Sequence, residues 1–328
     1  MVLLTRLILL LACVVGPVWI AHAGEVFPEG AQLEKLWNEG SFTEGVAVDF
    51  NGAVFFSDIT AGEAPGRVLR FDPQTKETTV YCANSGQSNG LMFDRTGRLL
   101  AACGANHGRR SLAEIRPNGS VDDLVTKFNG KNFNSPNDLV IHPQGWVYFS
   151  DPRYVGDEPI ELDLMNVFRF DPATGKVTQA TAEISKPNGL ITSPDGKTLY
   201  AAETNNGSNF GKRAGEVRMA LHALPIREDG TLGAPSLIAK FTERGGIDGM
   251  TVDSQGRIYG AYRDTERFGI LVLSPEGKEI DFLPTPELPT NCCFGRDKEL
   301  GTLYMTVGTG LYRISTSASG YHSIKTEK

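Results

Sequence analysis

One phrase is repeated six times along the chain, and it constrains the fold more than any other feature. Each copy opens with a polar residue and continues with a run of alternating apolar and polar residues. A turn near a glycine and a second alternating run follow. The copies are "EGVAVDFNGAVFFSD" from Glu44, "NGLMFDRTGRLLAAC" from Asn89, "NDLVIHPQGWVYFSD" from Asn137, "NGLITSPDGKTLYAAET" from Asn188, "DGMTVDSQGRIYGAYR" from Asp248 and "NCCFGRDKELGTLYMTVG" from Asn291. Their starts lie 45, 48, 51, 60 and 43 residues apart. Two alternating runs around a turn predict a β-hairpin in every copy.

Each hairpin is followed by two more strand-like segments, such as "GRVLRF" and "KETTVY" after the first copy. A four-stranded unit repeated six times predicts an all-β fold, a six-bladed β-propeller with four-stranded antiparallel blades around a central channel. The sixth copy ends one strand short, and "AQLEKLWNEG" ahead of the first copy can supply that strand and close the ring. A parallel β-helix is the alternative, but its repeats are shorter and lack this pair of hairpins.

The opening residue of each copy is expected on the channel wall, because the first strand of a propeller blade lines the axis. All six carry a side-chain carbonyl or carboxylate oxygen: Glu44, Asn89, Asn137, Asn188, Asp248 and Asn291. Asn and Asp are common turn residues, which explains one or two copies but not six. Two acids and several amides facing one axis need a positive partner. The ring therefore predicts one bound divalent cation, with Ca²⁺ favoured and Mg²⁺, Mn²⁺ or Zn²⁺ as alternatives.

Loops that leave the second strands must surround this ring, because a hairpin returns to the end at which it began. They are longer than the turns at the opposite end, and they contain His107, Arg110, Arg153 and Tyr154. A polar rim around a cation is typical of a site for a polar small molecule. We expect these four residues, with Asn89 and Asn291 of the ring, to bind the substrate.

An N-terminal segment with one basic residue, an apolar run and a small-x-small triplet at 21–23 predicts a cleavable secretory signal over residues 1–23. A single propeller domain over 24–328 would follow, exported to the periplasm or secreted. The formal net charge of −7, without an acidic block, argues against nucleic acid or an anionic membrane as partner after signal cleavage. We expect a monomer or weak homo-oligomer, with its four remaining cysteines mostly buried as free thiols.

The segments "FTEGVAVD", "SPNDLVIHPQGWVYFSDPRY", "KPNGLITSPDGKTLYAAE" and "GGIDGMTVD" resemble the gluconolactonase and senescence-marker-protein (regucalcin) family of six-bladed propellers. The resemblance extends over about residues 30–316 and looks closest to the bacterial gluconolactonase branch. It implies a lactonase with one divalent cation, usually calcium. The residues that match the family's metal ligands are Glu44, Asn137, Asn188 and Asp248. Regucalcin-type members have an Arg for binding substrate where this chain has Ser135, so a regucalcin-like sugar preference does not follow.

The leading hypothesis is a carboxylic-ester hydrolase that opens a sugar-type lactone, with the cation polarising the carbonyl group and Asp248 activating water. No motif for a covalent nucleophile is visible, which favours direct attack by water. Two alternatives stay open. One is a non-catalytic propeller that binds a ligand or a protein and uses its cation structurally. The other is a phosphotriester or aryl-ester hydrolase that uses the same ring.

Overall fold

The computed structural model describes residues 24–60, 64–208 and 215–324, and these ranges contain six four-stranded antiparallel sheets. Each sheet has one copy of the repeated phrase in or directly beside its first two strands. The predicted six-bladed β-propeller is therefore confirmed. The predicted signal segment 1–23 lies outside the described residues and stays a prediction.

The strands of the first half of the chain follow one another from the axis outward in each blade. The chain enters through β1 (Glu34–Trp37). Blade 1 comprises β2 (Thr43–Val48), β3 (Val54–Asp58), β4 (Arg67–Phe71) and β5 (Thr78–Cys82). Blade 2 comprises β6 (Ser88–Phe93), β7 (Leu99–Cys103), β8 (Ser111–Ile115) and β9 (Val121–Val125). A small hairpin of β10 (Lys127–Phe128) and β11 (Lys131–Asn132) precedes blade 3, which comprises β12 (Leu139–Ile141), β13 (Val147–Asp151), β14 (Asn166–Asp171) and β15 (Lys176–Thr181).

The second half repeats this order, except in the last blade. Blade 4 comprises β16 (Pro187–Thr192), β17 (Thr198–Asn206), β18 (Val217–Pro225) and β19 (Ser236–Lys240). Blade 5 comprises β20 (Gly246–Val252), β21 (Ile258–Arg263), β22 (Phe268–Leu273) and β23 (Glu279–Pro284). Blade 6 has β24 (Pro289–Phe294), a 3₁₀ turn (Asp297–Glu299), β25 (Thr302–Val307) and β26 (Gly310–Ser315), and its fourth strand is β1.

The ring is closed by the N-terminal strand, as the incomplete sixth copy predicts. β1 pairs antiparallel with β26, so that Glu34 lies opposite Arg313. The two side chains form an ion pair, with Arg313 Nε 2.7 Å from Glu34 Oε2. Trp37 at the end of β1 packs edge-on against Phe56 of blade 1, with ring centroids 5.3 Å apart. Closure leaves no open strand edge between the first and last blades.

Apolar side chains between neighbouring blades form the core. Phe55 of blade 1 packs against Phe93 of blade 2 with ring centroids 5.0 Å apart, and Leu99 completes the contact. Tyr148 of blade 3 is buried in the same way with Leu190 of blade 4. Each such side chain contributes about 1.5–3 kcal/mol when it leaves water. This packing fixes the angle between blades, and hence the position of every first strand at the axis.

The four cysteines beyond residue 23 are free, as expected, with three buried and Cys293 partly exposed. Apolar packing, not disulfides, therefore provides the cohesion of the described domain. Within the described ranges no helix is long and apolar enough to span a membrane.

The C-terminal segment 320–324 crosses one end of the channel. His322 Nε2 lies 3.0 Å from the carbonyl oxygen of Gly295 in blade 6, and Ser323 Oγ donates to the carbonyl oxygen of Ile141 in blade 3 at 2.7 Å. The channel cavity that this segment lines has a volume of about 60 Å³, room for about two waters. A substrate-sized molecule must therefore approach the channel from the opposite end.

Acidic pH should weaken the binding of the C-terminal segment 320–324 across the end of the channel. Burial, and after it the nearby charge of Arg296, lower the pKa of His322 to about 4. The unfolded chain binds this proton below a pKa of about 6.5, whereas the folded chain does not until about pH 4. The contribution of neutral His322 to stability is thus complete above pH 6.5 and is lost as the pH falls towards 4. Because the ring keeps some exposure, we expect a loss of about 1–2 kcal/mol.

His322→Gln should remove this component of acid sensitivity. Urea unfolding at pH 7.5 and pH 4.5 measures it as the difference in unfolding free energy between the two conditions. His107→Gln, at an exposed histidine, should keep the wild-type difference. An unchanged pH difference in His322→Gln would contradict the assignment.

Candidate functional site

An irregular first strand aims the opening residue of each repeat at the axis. In five blades the pairing of the first two strands slips by one residue at this position, for example between Glu44 and Ala47 and between Pro187 and Leu190. Such a β-bulge redirects the side chain beside it. In blade 3, Asn137 lies just ahead of β12 and outside the ladder. The side chains of the opening residues therefore do not follow the alternating side-chain directions of the strands to which they belong.

The glycine after the opening residue is required by the neighbouring blade. A β-carbon at Gly45 would lie 1.7 Å from the carbonyl oxygen of Asn89, and one at Gly189 would lie 2.1 Å from that of Asp248. Both distances are far shorter than van der Waals contact, so only glycine permits this approach. In the four copies where glycine follows the opening residue, this pair lets the first strands converge while each strand presents one polar side chain.

A cleft of about 620 Å³ opens at the end of the channel away from the C-terminal segment. Its floor is formed by five of the six opening residues: Glu44, Asn89, Asn137, Asn188 and Asp248. These residues are separated by up to two hundred positions in the chain, and the propeller brings them to one place.

Asn291, the sixth opening residue, lies deeper in the channel. Its Oδ1 accepts from the backbone N–H of Cys292 at 2.8 Å, and its amide fills the space against Gly249. It lines the small cavity on the C-terminal side and not the cleft. The structure therefore does not bring Asn291 together with the other residues predicted to bind the substrate.

The floor concentrates two buried acids. Burial raises the pKa of Glu44 well above its ordinary value, the charge of Asp248 raises it further, and the guanidinium of Arg263 opposes both. Burial also raises the pKa of Asp248, against the lowering effects of Arg263 and of a hydrogen bond with Asn188. Burial is the main cause of both shifts, and Glu44 is raised further because it shares the site with the carboxylate of Asp248.

Arg263 is a floor residue that local sequence patterns indicate only weakly. It is the last residue of β21, and its guanidinium donates to Asp248 Oδ2 at 3.0 Å and more weakly to the carbonyl oxygen of Pro289 at 3.4 Å. The same group lies 5.5 Å from the ring centroid of Phe42. The sequence shows only that Arg263 lies at the end of a strand that leads into a rim loop. Many exposed arginines have such a position.

Tyr154 lines the cleft as predicted and connects two blades. Its hydroxyl donates to the carbonyl oxygen of Thr204 at 2.9 Å, and Lys186 Nζ lies 4.3 Å from its ring centroid. Lys186 is fully buried and donates to Asn206 Oδ1 and Ser208 Oγ, both at 2.8 Å. The lysine therefore fixes Tyr154 and the rim loop of blade 4 in place, a role that the sequence did not suggest.

The remaining predicted rim residues contact neighbouring loops. Arg110 Nε donates to the carbonyl oxygen of Phe133 at 2.6 Å. Arg153 is buried, and its Nη1 lies 3.1 Å from Glu158 Oε2. His107 is exposed, and its backbone N–H donates to the other oxygen of the same glutamate at 2.8 Å. None of the three predicted residues lines the cleft, so their assigned contact with substrate stays a prediction.

The donor chemistry of the floor suits a hard cation. Over the described ranges no three or more His, Cys, Asp or Glu side chains are grouped so as to hold a metal. The floor instead combines Glu44 and Asp248 with amides, and Asn188 Oδ1 is buried there without a hydrogen-bond partner among the described residues. An all-oxygen set with excess negative charge and an unpartnered oxygen fits Ca²⁺ and does not fit a soft metal. Glu44, Asn188 and Asp248 could hold such an ion, with Asn137 on the same floor.

Comparison with known proteins finds a family and a set of similar folds. Residues 42–309 match the SMP-30/gluconolactonase/LRE-like region. The gluconolactonase of Zymomonas mobilis is 28% identical over 93% of this chain and 79% of its own. The solved structure of a gluconolactonase from Xanthomonas campestris has a TM-score of 0.75 at 26% identity, covering 92% of this chain and 95% of that one. Regucalcin from Agrobacterium tumefaciens, described as a calcium-binding protein, has a TM-score of 0.69 at 19% identity over 88% and 95% of the two chains, which shows the fold alone.

Arg263→Met should destabilise the protein, because it leaves Glu44 and Asp248 buried without their neighbouring positive charge. We expect a loss of about 1–3 kcal/mol in the free energy of unfolding, below the full cost of breaking a buried pair because the arginine side chain is 24% exposed. Thermal unfolding in cation-free buffer at pH 7 measures it. Arg267→Met, which removes an exposed ion pair with Glu279, is the matched control and should change stability much less. Equal stability of the two variants would contradict the role given to Arg263.

Proposed function

The chain belongs to the SMP-30/gluconolactonase/LRE-like family, and from that premise we propose that it hydrolyses lactones in the cleft above the ring. The observation that carries the proposal is the floor, where two buried acids meet an amide oxygen that has no hydrogen-bond partner in the part of the chain that the structure describes. The oxygen of water bonds to the lactone carbonyl carbon and the ring C–O bond breaks. One hydroxycarboxylate and one proton are released, so atoms and charge balance.

The proposal includes a divalent cation, with calcium as our choice. Glu44, Asn188 and Asp248 would hold it, with Asn137 beside them. When bound, such an ion supplies Lewis-acid stabilisation of the negative charge on the carbonyl oxygen, worth several kcal/mol. The unbalanced charge of the two acids and the all-oxygen donor set support this choice.

Asp248 is the residue that we propose as general base. Its Oδ2 is held by Arg263 at 3.0 Å, which orients the carboxylate and favours its charged form. In that form Asp248 can accept a proton from the attacking water. Glu44 contributes charge and position, because its Oε2 accepts from the backbone N–H of Gly45 at 3.1 Å and is fixed at the floor.

Sugar-type lactones are the substrate class that the family resemblance implies, and the proposal includes them. The amide of Asn89, and that of Asn137 beside the cation ligands, can both donate to and accept from hydroxyl groups close to the reacting ester. This set lies on the floor, within reach of a lactone ring.

Asp248→Asn tests the base directly, because it keeps an oxygen and the size of the side chain but cannot accept the proton. With saturating calcium, we expect kcat to fall by about 10²- to 10⁴-fold on a lactone in a pH-drop assay. Asp195→Asn, at an exposed turn of blade 4, is the matched control and should retain activity. Undiminished kcat in Asp248→Asn would remove Asp248 from this role.

Cation removal tests the other half of the proposal. After treatment with a chelator, we expect lactone hydrolysis to stop and the melting temperature to fall, and added calcium should restore both. At one hundred times its dissociation constant, calcium should add about 2.7 kcal/mol of stability. Glu44→Gln should lose most of this calcium-dependent shift. Hydrolysis that persists in the chelated protein would mean that the cation has at most a structural role.

A further inference from the structure

The walls of the cleft differ in character from its floor. Polar side chains do line the walls, and the hydrogen-bonding groups of several of them are already engaged within the protein. Gln87 Nε2 donates to the carbonyl oxygens of Thr60 and Ala64 at 3.1 and 2.9 Å. The hydroxyl of Thr60 also donates to the carbonyl oxygen of Ala64, at 2.7 Å. These groups hold the rim loop of blade 1 and offer little to a ligand.

The polar wall residues on the other side of the cleft are engaged in the same way. Asn206 Oδ1 accepts from Lys186 Nζ at 2.8 Å, and Arg244 pairs with Asp264 at 3.4 Å and with Glu266 at 3.1 Å. The hydroxyl of Thr204 donates to the carbonyl oxygen of Ile247 at 2.5 Å. A polyhydroxylated ligand would have to break such contacts to gain hydrogen bonds along the walls.

Apolar side chains cover much of what remains of the walls. They are Phe42, Ile59, Pro136, Val155 and Met219. Phe42 is 36% exposed and Val155 is 58% exposed, although large apolar side chains lower their free energy when they leave water. Apolar surface held open around a polar floor marks a groove for a ligand that is itself partly apolar.

The size of the cleft agrees with this composition. Its volume of about 620 Å³ corresponds to roughly twenty waters and lies in the range of pockets that bind drug-sized ligands. The polar floor residues Glu44, Asn188 and Asp248 can contact only the reacting end of such a ligand. The walls are left for a substituent beyond the lactone ring.

We infer that the preferred substrate is a lactone with an alkyl or aryl substituent, whose ring lies on the polar floor and whose substituent packs against Phe42 and Met219. The inference rests on the proposed lactone hydrolysis and narrows its substrate class. The inference also assigns different tasks to the floor and to the walls of the cleft. The floor carries out the reaction on any lactone ring, and the walls discriminate by what the ring carries.

A panel of three lactones tests the inference with calcium-loaded protein. γ-Decalactone and γ-butyrolactone share one ring and differ only by a hexyl chain, and D-glucono-δ-lactone represents the hydroxylated class. Each methylene that the walls cover should raise kcat/KM roughly four-fold. We expect γ-decalactone to exceed both of the other lactones in kcat/KM by at least about 10-fold.

Wall variants show whether the cleft causes that preference. Phe42→Ala and Met219→Ala should each lower the ratio of kcat/KM on γ-decalactone to kcat/KM on γ-butyrolactone about five-fold or more. Two variants are used because Phe42 also contacts Arg263. Val80→Ala, at an exposed apolar residue on the outer strand of blade 1, is the matched control and should leave the ratio unchanged.

The outcomes separate the two proposals. A preference for D-glucono-δ-lactone, or an alkyl preference that neither wall variant reduces, overturns the inference and leaves lactone hydrolysis standing. Absence of turnover on all three lactones in the presence of calcium overturns the inference and the proposed function together.

Discussion

The close approach of neighbouring first strands at the channel axis is the constraint on which the rest of the site depends. Gly45 and Gly189 touch the backbones of the next blades, at distances that no side chain could tolerate. Because the strands converge so closely, the side chain of the polar residue before Gly45 or Gly189 can point only towards the axis. Ring closure through β1 and the apolar packing between blades then hold this convergence in place. A polar floor is thus a consequence of how the first strands of the blades converge on one axis.

The convergence of the first strands buries negative charge that the described residues neutralise only in part. Glu44 and Asp248 are buried together, and burial and mutual repulsion raise the pKa of Glu44. Arg263 supplies one positive charge at 3.0 Å from Asp248, while Asn188 Oδ1 stays without a partner. A fold stabilised by apolar packing can tolerate such a deficit at one place, and the deficit is what makes the floor suited to a cation and to ester chemistry.

The sequence was sufficient to predict the blades, the closing strand and most of the floor. A hairpin with a fixed turn position places its first residue at a fixed height along the channel axis. Glu44, Asn188 and Asp248 follow from that rule. Asn291 has the same position in its repeat but turns below the cleft, where space beside Gly249 accepts its amide. The role of Arg263 depends on a contact between the end of β21 and the floor, which no local pattern encodes. The loop contacts of Arg110 likewise depend on loop conformations that have no period.

A high-resolution crystal structure of protein crystallised in calcium measures most directly whether the floor binds one divalent ion. We predict a single ion on the channel axis with oxygen contacts of about 2.3–2.6 Å from Glu44, Asn188 and Asp248. Occupancy should vanish in crystals of Glu44→Gln grown in the same way. A floor filled only by water at saturating calcium, with Arg263 still paired to Asp248, would contradict the central claim.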